Sequence, residues 1–301
     1  MGFVLYFILH NHFYEIIQSL QSLSIQNILI LVLASLIFFV LDALAQYVVL
    51  YRCTNKKSVS CSCELVFLNH FFNGTTSSMG TIPFQSYYLK KKNIPYSQGI
   101  GAMFLNMIFH KLAVLANALL ALCIQWQWIK KQTTIYFYIR LGIVLNILIL
   151  IVLVAFIFWD KSKWILKIKK ESIQKELLMI ASVAREQLSN FKFNIYMFLS
   201  HFIKVMWLCV IPYFCIRVLV NPSIQFIQIY VLSSLAYILA SSLPNVAGIG
   251  PLEFAYMTLF GLYLPGAIVS TSLILYRFFS FYLLFIISTF VFLRIKKYIF
   301  C

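Results

Sequence analysis

Apolar residues run through this chain in long blocks, and the polar residues between them are few and clustered. Five blocks are long enough to cross a hydrocarbon core as α-helices: about Ile25–Tyr51, Ser97–Ile124, Ile135–Trp159, Phe193–Ile216 and Ala267–Leu293. Two further apolar stretches are broken by small and polar residues. Glu64–Leu89 is interrupted by Asn73–Gly80, and Ile224–Leu264 by Ser241–Pro251. A break at membrane depth exposes backbone N–H and C=O groups, which are tolerated only where protein or a watery cavity satisfies them. Both stretches are therefore predicted as re-entrant hairpins, each a pair of half-helices.

The positions of the cations support this. Arg52, Lys56 and Lys57 follow the first span, Lys90–Lys92 follow the first broken stretch, and Arg294, Lys296 and Lys297 close the chain. The stretch Asp160–Lys192 carries eight more. All four clusters share one side only if both broken stretches return to the side they entered from, with Lys130, Lys131 and Arg217 as the minority on the other. The predicted fold is an all-α polytopic membrane bundle with two re-entrant hairpins in an inverted-topology repeat. Its parts are an interfacial N-terminal segment (1–24), a first membrane half (25–159, re-entrant over 64–89), a basic amphipathic cytoplasmic linker (160–192) and a second membrane half (193–301, re-entrant over 224–264). Ile82-Pro83 and Leu243-Pro244 at the breaks, and Ile94-Pro95 and Leu264-Pro265 before the next spans, are weak echoes between the halves.

Composition agrees with a lipid solvent. The 301 residues are 62% hydrophobic and 11% charged, with a mean hydropathy of +0.90, too little charge to cover a soluble surface. The net charge of +16 does not imply nucleic acid, because the cations sit at the ends of apolar runs. That is the arrangement of a membrane protein facing anionic lipid. Seven cysteines form neither a disulfide framework nor a zinc set, so no metal and no cofactor is expected. Met1–Leu9 lacks the basic start and cleavage site of a signal peptide.

Ionisable groups inside spans are costly and are functional candidates by default. They are Asp42, His110, Lys111, Arg140, His201, Lys204, Glu253 and Arg277. Asp42 and Arg140 are placed toward span ends, where snorkelling or anchoring explains them. Glu253 begins the second arm of a broken stretch, where half-helix N–H groups favour an anion. Arg277 lies near mid-depth and needs a partner, for which Glu253 is the natural choice. The pair fixes the fold, or else Arg277 meets a lipid phosphate. In the first half Gln85, Tyr87 and Tyr88 follow Pro83, while His110 and Lys111 lie at comparable depth in the next span. These groups suit headgroup binding or helix packing. Gly80 and Pro83 in one break, and Pro244, Gly248 and Gly250 in the other, shape the re-entrant loops. No catalytic constellation is present: there is no HExxH, no GxxxxGK[ST] and no Ser/His/Asp set in context. Acidic residues number eight, half of them in the linker.

At these residues the chain resembles the lysylphosphatidylglycerol synthase transmembrane family, a flippase-like membrane domain. Gly80-Thr81-Ile82-Pro83-Phe84-Gln85-Ser86-Tyr87-Tyr88-Leu89-Lys90-Lys91 is similar to the family's double glycine, Gln-Pro, Gln, two tyrosines, leucine and lysines. Pro244–Glu253 resembles its loop rich in proline and glycine that ends in glutamate, and Tyr276-Arg277 its Trp/Tyr-Arg in the last span. The resemblance runs from about Tyr14 to Phe292. Thr76, Thr81, Ile82 and Val246-Ala247 depart from the pattern, which changes specific polar groups in both loops.

The resemblance implies a bacterial inner-membrane location, and the basic clusters place the C-terminus on the cytoplasmic side. It also implies phosphatidylglycerol lysyltransferase activity and cationic peptide resistance in proteins fused to a soluble aminoacyltransferase domain, a domain these 301 residues do not contain. The expected function is translocation or binding of a phospholipid or polyprenyl-linked lipid, with anionic lipid at the basic linker. Two alternatives stay open. One is a lysyltransferase or its membrane subunit, with a separate soluble transferase as partner. The other is a scaffold for an envelope glycosyltransferase.

Overall fold

Long apolar runs become long helices because lipid offers the backbone no hydrogen bonds, so each segment must satisfy its own. A computed structural model of the chain describes residues 13–54, 58–76, 80–130, 133–158, 171–220, 224–243 and 250–300. Among the described residues the regular structure is helical throughout. In chain order the helices are α1 (Phe13–Gln21), α2 (Ile25–Thr54), α3 (Val59–Thr76), α4 (Thr81–Lys91), α5 (Tyr96–Ile124), α6 (Trp126–Lys130) and α7 (Thr133–Ile157). After these come α8 (Glu171–Leu188), α9 (Phe191–Arg217), α10 (Phe226–Ser242), α11 (Pro251–Phe260), α12 (Gly266–Arg277) and α13 (Leu283–Phe300), with a π-helical turn at Phe278–Tyr282 joining the last two. Five helical stretches are long and apolar enough to span a membrane: Ile25–Cys53, Tyr96–Ile124, Ile139–Ile157, Phe191–Arg217 and Gly266–Lys296. The chain is an all-α, multi-pass membrane protein.

Two compact units divide it. One comprises Met1–Val40, Val114–Asn146 and Lys204–Leu284, the other Leu41–Ala113, Ile147–Ile203 and Phe285–Cys301. Each of the five long spans contributes to both units. The broken stretch α3–α4 lies wholly in the second, and α10–α11 wholly in the first.

In the second unit, α3 and α4 form an antiparallel hairpin whose register can be read from its contacts. Glu64 meets the Tyr88 hydroxyl, Gln85 Nε2 donates to the Leu65 carbonyl at 2.8 Å, and the rings of Phe72 and Phe84 stack at 4.1 Å. At the tip the Gly80 N–H donates to Thr76 Oγ1 at 3.0 Å. Residue numbers rise along α3 as they fall along α4, so Val59 and Lys91 end on the same side of the hairpin. The predicted break is wider than the observed one: Asn73–Thr76 stay helical. Their polarity is absorbed locally, because the Thr75 and Thr76 hydroxyls donate to the Phe71 and Phe72 carbonyls at 2.9 and 2.7 Å.

The end of α4 has an equally local cause. Asn93 takes the left-handed conformation (φ 64°), with Ile94 N–H donating to Leu89 O and Asn93 N–H to Lys90 O, both at 3.1 Å. That is a Schellman stop, with Pro95 following to prevent continuation. The hairpin is held to α13 by Phe71 stacked on Phe292 at 4.1 Å. Close approach is enforced at Gly74, where a Cβ would lie 2.5 Å from the Phe285 ring. In the same unit α8 turns Ile180, Ala181 and Ala184 inward, and a Cβ on Gly101 of α5 would lie 3.0 Å from its Val183. One face of the linker helix is thus committed to protein. The remainder of the predicted linker helix, including Trp164, Ile165 and Ile168, lies outside the described residues or side chains.

In the first unit, polar side chains tie helix to helix, as they do in membrane bundles. Trp207 Nε1 donates to the Ala34 carbonyl at 2.9 Å, the Tyr230 hydroxyl donates to Asn117 Oδ1 at 2.8 Å, and Asn146 Nδ2 donates to Ser241 Oγ at 3.2 Å. At Gly142 the backbones of α7 and α10 come so close that a Cβ would lie 3.2 Å from Leu239 Cα. α10 packs on α11, and α11 packs antiparallel on α12. The Tyr256 hydroxyl meets Ser272 Oγ at 3.1 Å, and the Tyr256 and Tyr276 rings stack at 5.9 Å.

The hairpin geometry predicts the accessibility of its two open ends. In a cysteine-free background, Val59→Cys and Lys90→Cys, both exposed positions, react with a membrane-impermeant maleimide from the same face. Labelling from opposite faces would mean that the α3–α4 stretch crosses the membrane.

Candidate functional site

Two of the buried charges of the first unit, Glu253 and Arg277, meet at the start of α11. Gly250 holds φ at 121°, a conformation that L side chains rarely adopt, and Pro251 follows at the first helical position, where its missing N–H costs nothing. Glu253 stands third in the helix, and its Oε2 accepts the Gly250 N–H at 2.7 Å, the carboxylate half of a capping box. Its other oxygen, Oε1, accepts from Nε of Arg277 at the end of α12. Both residues are buried, at 4% and 7% exposure, so neither is a surface ion pair of negligible worth.

The helix changes character immediately after Arg277. Over Phe278–Tyr282 it widens into a π turn, a feature that recurs at functional sites. The Arg277 guanidinium lies 5.4 Å from the centroid of the Phe281 ring, a cation–π distance. Two hydroxyls serve backbone carbonyls here: Ser280 Oγ donates to Tyr276 O at 2.6 Å, and Ser35 Oγ of α2 donates to Phe279 O at 2.5 Å. The arginine is therefore fixed by its carboxylate, by an aromatic face and by a locally anchored backbone.

The other predicted substrate-binding residues, with Gly80 and Pro83, lie in the second unit. Gln85 pins the hairpin through Leu65. Tyr88 is buried and donates to Glu64, while Lys92 Nζ lies 3.7 Å from the same carboxylate and 5.4 Å from the Tyr88 ring centroid. Tyr87 is exposed, with Lys91 Nζ 5.8 Å from its ring. Gly80 caps α4 and Pro83 sits in its first turn, where it breaks no helical bond. His110 faces His201 with ring centroids 6.2 Å apart, and half-buried Lys111 is next to it on α5. Pro244 and Gly248 lie outside the described residues.

One sequence expectation is corrected. Asp42 was placed toward a span end, free to anchor or snorkel. It is instead buried at 3% exposure, midway along α2, with His70 Nε2 3.5 Å from its Oδ2. His70 and Glu64, both engaged in the second unit, were not among the sequence candidates. A histidine between Asn69 and two phenylalanines gives no periodic signal. The depth of Asp42 was readable, since it stands well inside its apolar run.

A surface groove of ≈ 570 Å³ is lined by Arg52, Lys192, Glu186 and Asn190, among others. It lies where the second unit brings the end of α2 to the α8–α9 junction.

The first unit thus places a buried Glu–Arg pair at the start of a half-helix of a polytopic helical protein. Residues 1–288 match the family described as Lysylphosphatidylglycerol synthase TM region, and the chain belongs to that family. Membership gives it a membrane lipid-related role. A search of curated proteins finds no match.

The pair predicts a non-additive response. Arg277→Met alone leaves Glu253 buried without its cation and lowers stability by about 3–5 kcal/mol. Combining it with Glu253→Gln recovers most of that loss in thermal unfolding of detergent-purified protein. At Gly250 an added Cβ meets nothing within 4 Å, so Gly250→Ala costs only the conformational strain, on the order of 1–3 kcal/mol, in the same measurement.

Proposed function

We propose that this chain captures a phospholipid or polyprenyl-linked lipid by its headgroup and moves it across the bilayer. The observation that carries the reading is the Glu253–Arg277 pair, buried at the start of a half-helix within a broken stretch. A buried ion pair is a poor way to gain stability, since well-packed apolar residues do as well or better. Its presence inside the helical bundle suits a charged ligand. A lipid phosphate competes with Glu253 for Arg277, whose planar fork matches phosphate oxygens, and the amino end of α11 adds to the positive field.

The second unit offers further donors: Tyr87 beside Lys91, and His110 with Lys111. Anionic lipid headgroups occupy the groove at Arg52 and Lys192, anchoring the α8 region to the cytoplasmic leaflet. The location is the bacterial inner membrane, with the C-terminus cytoplasmic on the side of the basic clusters.

The test is transbilayer movement of a fluorescent phospholipid in proteoliposomes, for wild type beside Arg277→Gln and Glu253→Gln, with lysyl-tRNA in a parallel arm. For correctly folded Arg277→Gln, loss of one charge-assisted contact, about 1.5–3 kcal/mol, corresponds to a fall of roughly ten- to a hundredfold in rate, whereas Glu253→Gln, which removes the competitor for Arg277, changes the rate without that loss. Lysylated lipid in the tRNA arm without movement overturns the proposal in favour of a lysyltransferase. Movement unaffected by either substitution removes this pair from the transport site.

A further inference from the structure

We propose that the groove between the end of α2 and the α8–α9 junction selects a phospholipid whose headgroup carries a primary amine, of the ethanolamine type. The inference rests on the reading above that places a lipid headgroup at Arg52 and Lys192, and narrows it: the anion there is the phosphate. A third charge on the same walls does the narrowing. Glu186 lines the groove with the two cations and has the opposite sign.

The groove lies at headgroup depth. Arg52 is the last residue but one of the spanning stretch Ile25–Cys53, and Lys192 is the second residue of the spanning stretch Phe191–Arg217. Two apolar helices thus end at this point, the level at which lipid phosphates lie. Phe191 lines the groove and is 76% exposed, and Tyr196, one turn beyond Lys192, is exposed as well. Aromatic rings in that position suit the acyl end of a lipid and give a soluble ligand nothing to use.

The junction folds without these charges. Its backbone groups and uncharged side chains satisfy one another: Ser189 N–H donates to Arg185 O at 3.1 Å, Asn190 N–H to Gln187 O at 3.2 Å, Asn194 Nδ2 to Leu188 O at 2.7 Å, and Phe193 N–H to Asn190 Oδ1 at 3.1 Å. Arg52, Glu186 and Lys192 are exposed, and among the described residues none of the three is in an ion pair or a side-chain hydrogen bond. Charges of both signs face one groove of ≈ 570 Å³ without neutralising one another.

A phosphate diester answers the two cations, and the planar fork of Arg52 matches its oxygens. Taken alone it also sets a negative charge beside Glu186, which is how a site disfavours the wrong ligand. An ammonium on the same headgroup reverses that, because it donates N–H to the Glu186 carboxylate. A glycerol headgroup brings the phosphate but no cation. A choline headgroup brings the cation but no N–H. Ethanolamine supplies both, and the Gln187 and Asn190 amides add neutral donors on the same walls.

The experiment titrates phosphatidylethanolamine, phosphatidylcholine and phosphatidylglycerol of one acyl composition into the full chain in detergent, with bound lipid read by native mass spectrometry. Wild type binds the ethanolamine lipid roughly two- to fivefold more tightly than the choline lipid, the scale of one solvent-exposed charge pair. Glu186→Gln abolishes that preference and moves the balance between ethanolamine and glycerol lipids toward glycerol by a similar factor. Arg52→Gln combined with Lys192→Gln weakens binding of all three lipids. The substituted positions are exposed, so the variants keep the fold. Equal binding of ethanolamine and choline lipids by wild type, or a preference that survives Glu186→Gln, overturns the selectivity and leaves the lipid reading of the groove intact. Binding of all three lipids unchanged in the double variant overturns both. Displacement of the bound lipid by free phosphoethanolamine at equal concentration makes the occupant a soluble zwitterion and overturns its assignment as a lipid.

Discussion

Breaking a helix leaves backbone donors and acceptors that its own turns cannot satisfy, and both breaks of this structure have to answer that obligation. Each break is met by side chains close in sequence. At the first, Thr76 accepts the Gly80 N–H while its hydroxyl proton goes back to Phe72. At the second, Glu253 reaches back to the Gly250 N–H. The carboxylate that solves the backbone problem then creates an electrostatic one, because it is buried. Arg277 answers that, and with it come the π turn, the Phe281 ring and the Ser35 hydroxyl. A local capping requirement thus propagates into the placement of the principal cation of its unit.

The two units each contain a buried acid with a basic partner, and the partners differ in kind. Glu253 has an arginine, which holds charge at every accessible pH. Asp42 has His70, with Nε2 at 3.5 Å from its Oδ2. The first arrangement suits recognition of a permanent anion such as a phosphate diester.

Much of this was legible in the chain itself, and the exceptions have physical reasons. The spans were readable because hydrocarbon thickness imposes a length that few other constraints imitate. The Glu253–Arg277 contact was readable because an arginine deep in a span requires a counter-charge and few acids were available. The extent of the first break was overestimated: Asn73–Thr76 look like loop residues, but threonine hydroxyls bonding their own helix let it continue. His70 was missed because an imidazole beside phenylalanines reads as packing. Asp42 was misjudged because its role depends on a partner from another helix. The π turn had no compositional mark at all, since Phe278-Phe279-Ser280-Phe281-Tyr282 is an ordinary apolar segment.

That π turn also bears on descent and register. It accommodates one residue more than the α-helix it interrupts, and each residue of an α-helix turns its successors by about 100°. Removing a single residue between Phe278 and Tyr282 would restore a regular helix and rotate every later side chain to a different face. A family member that lacks the extra residue therefore presents a different surface beyond its arginine, even where the aligned letters are identical. In this region a one-residue gap is a change of three-dimensional phase, of greater consequence than most substitutions around it.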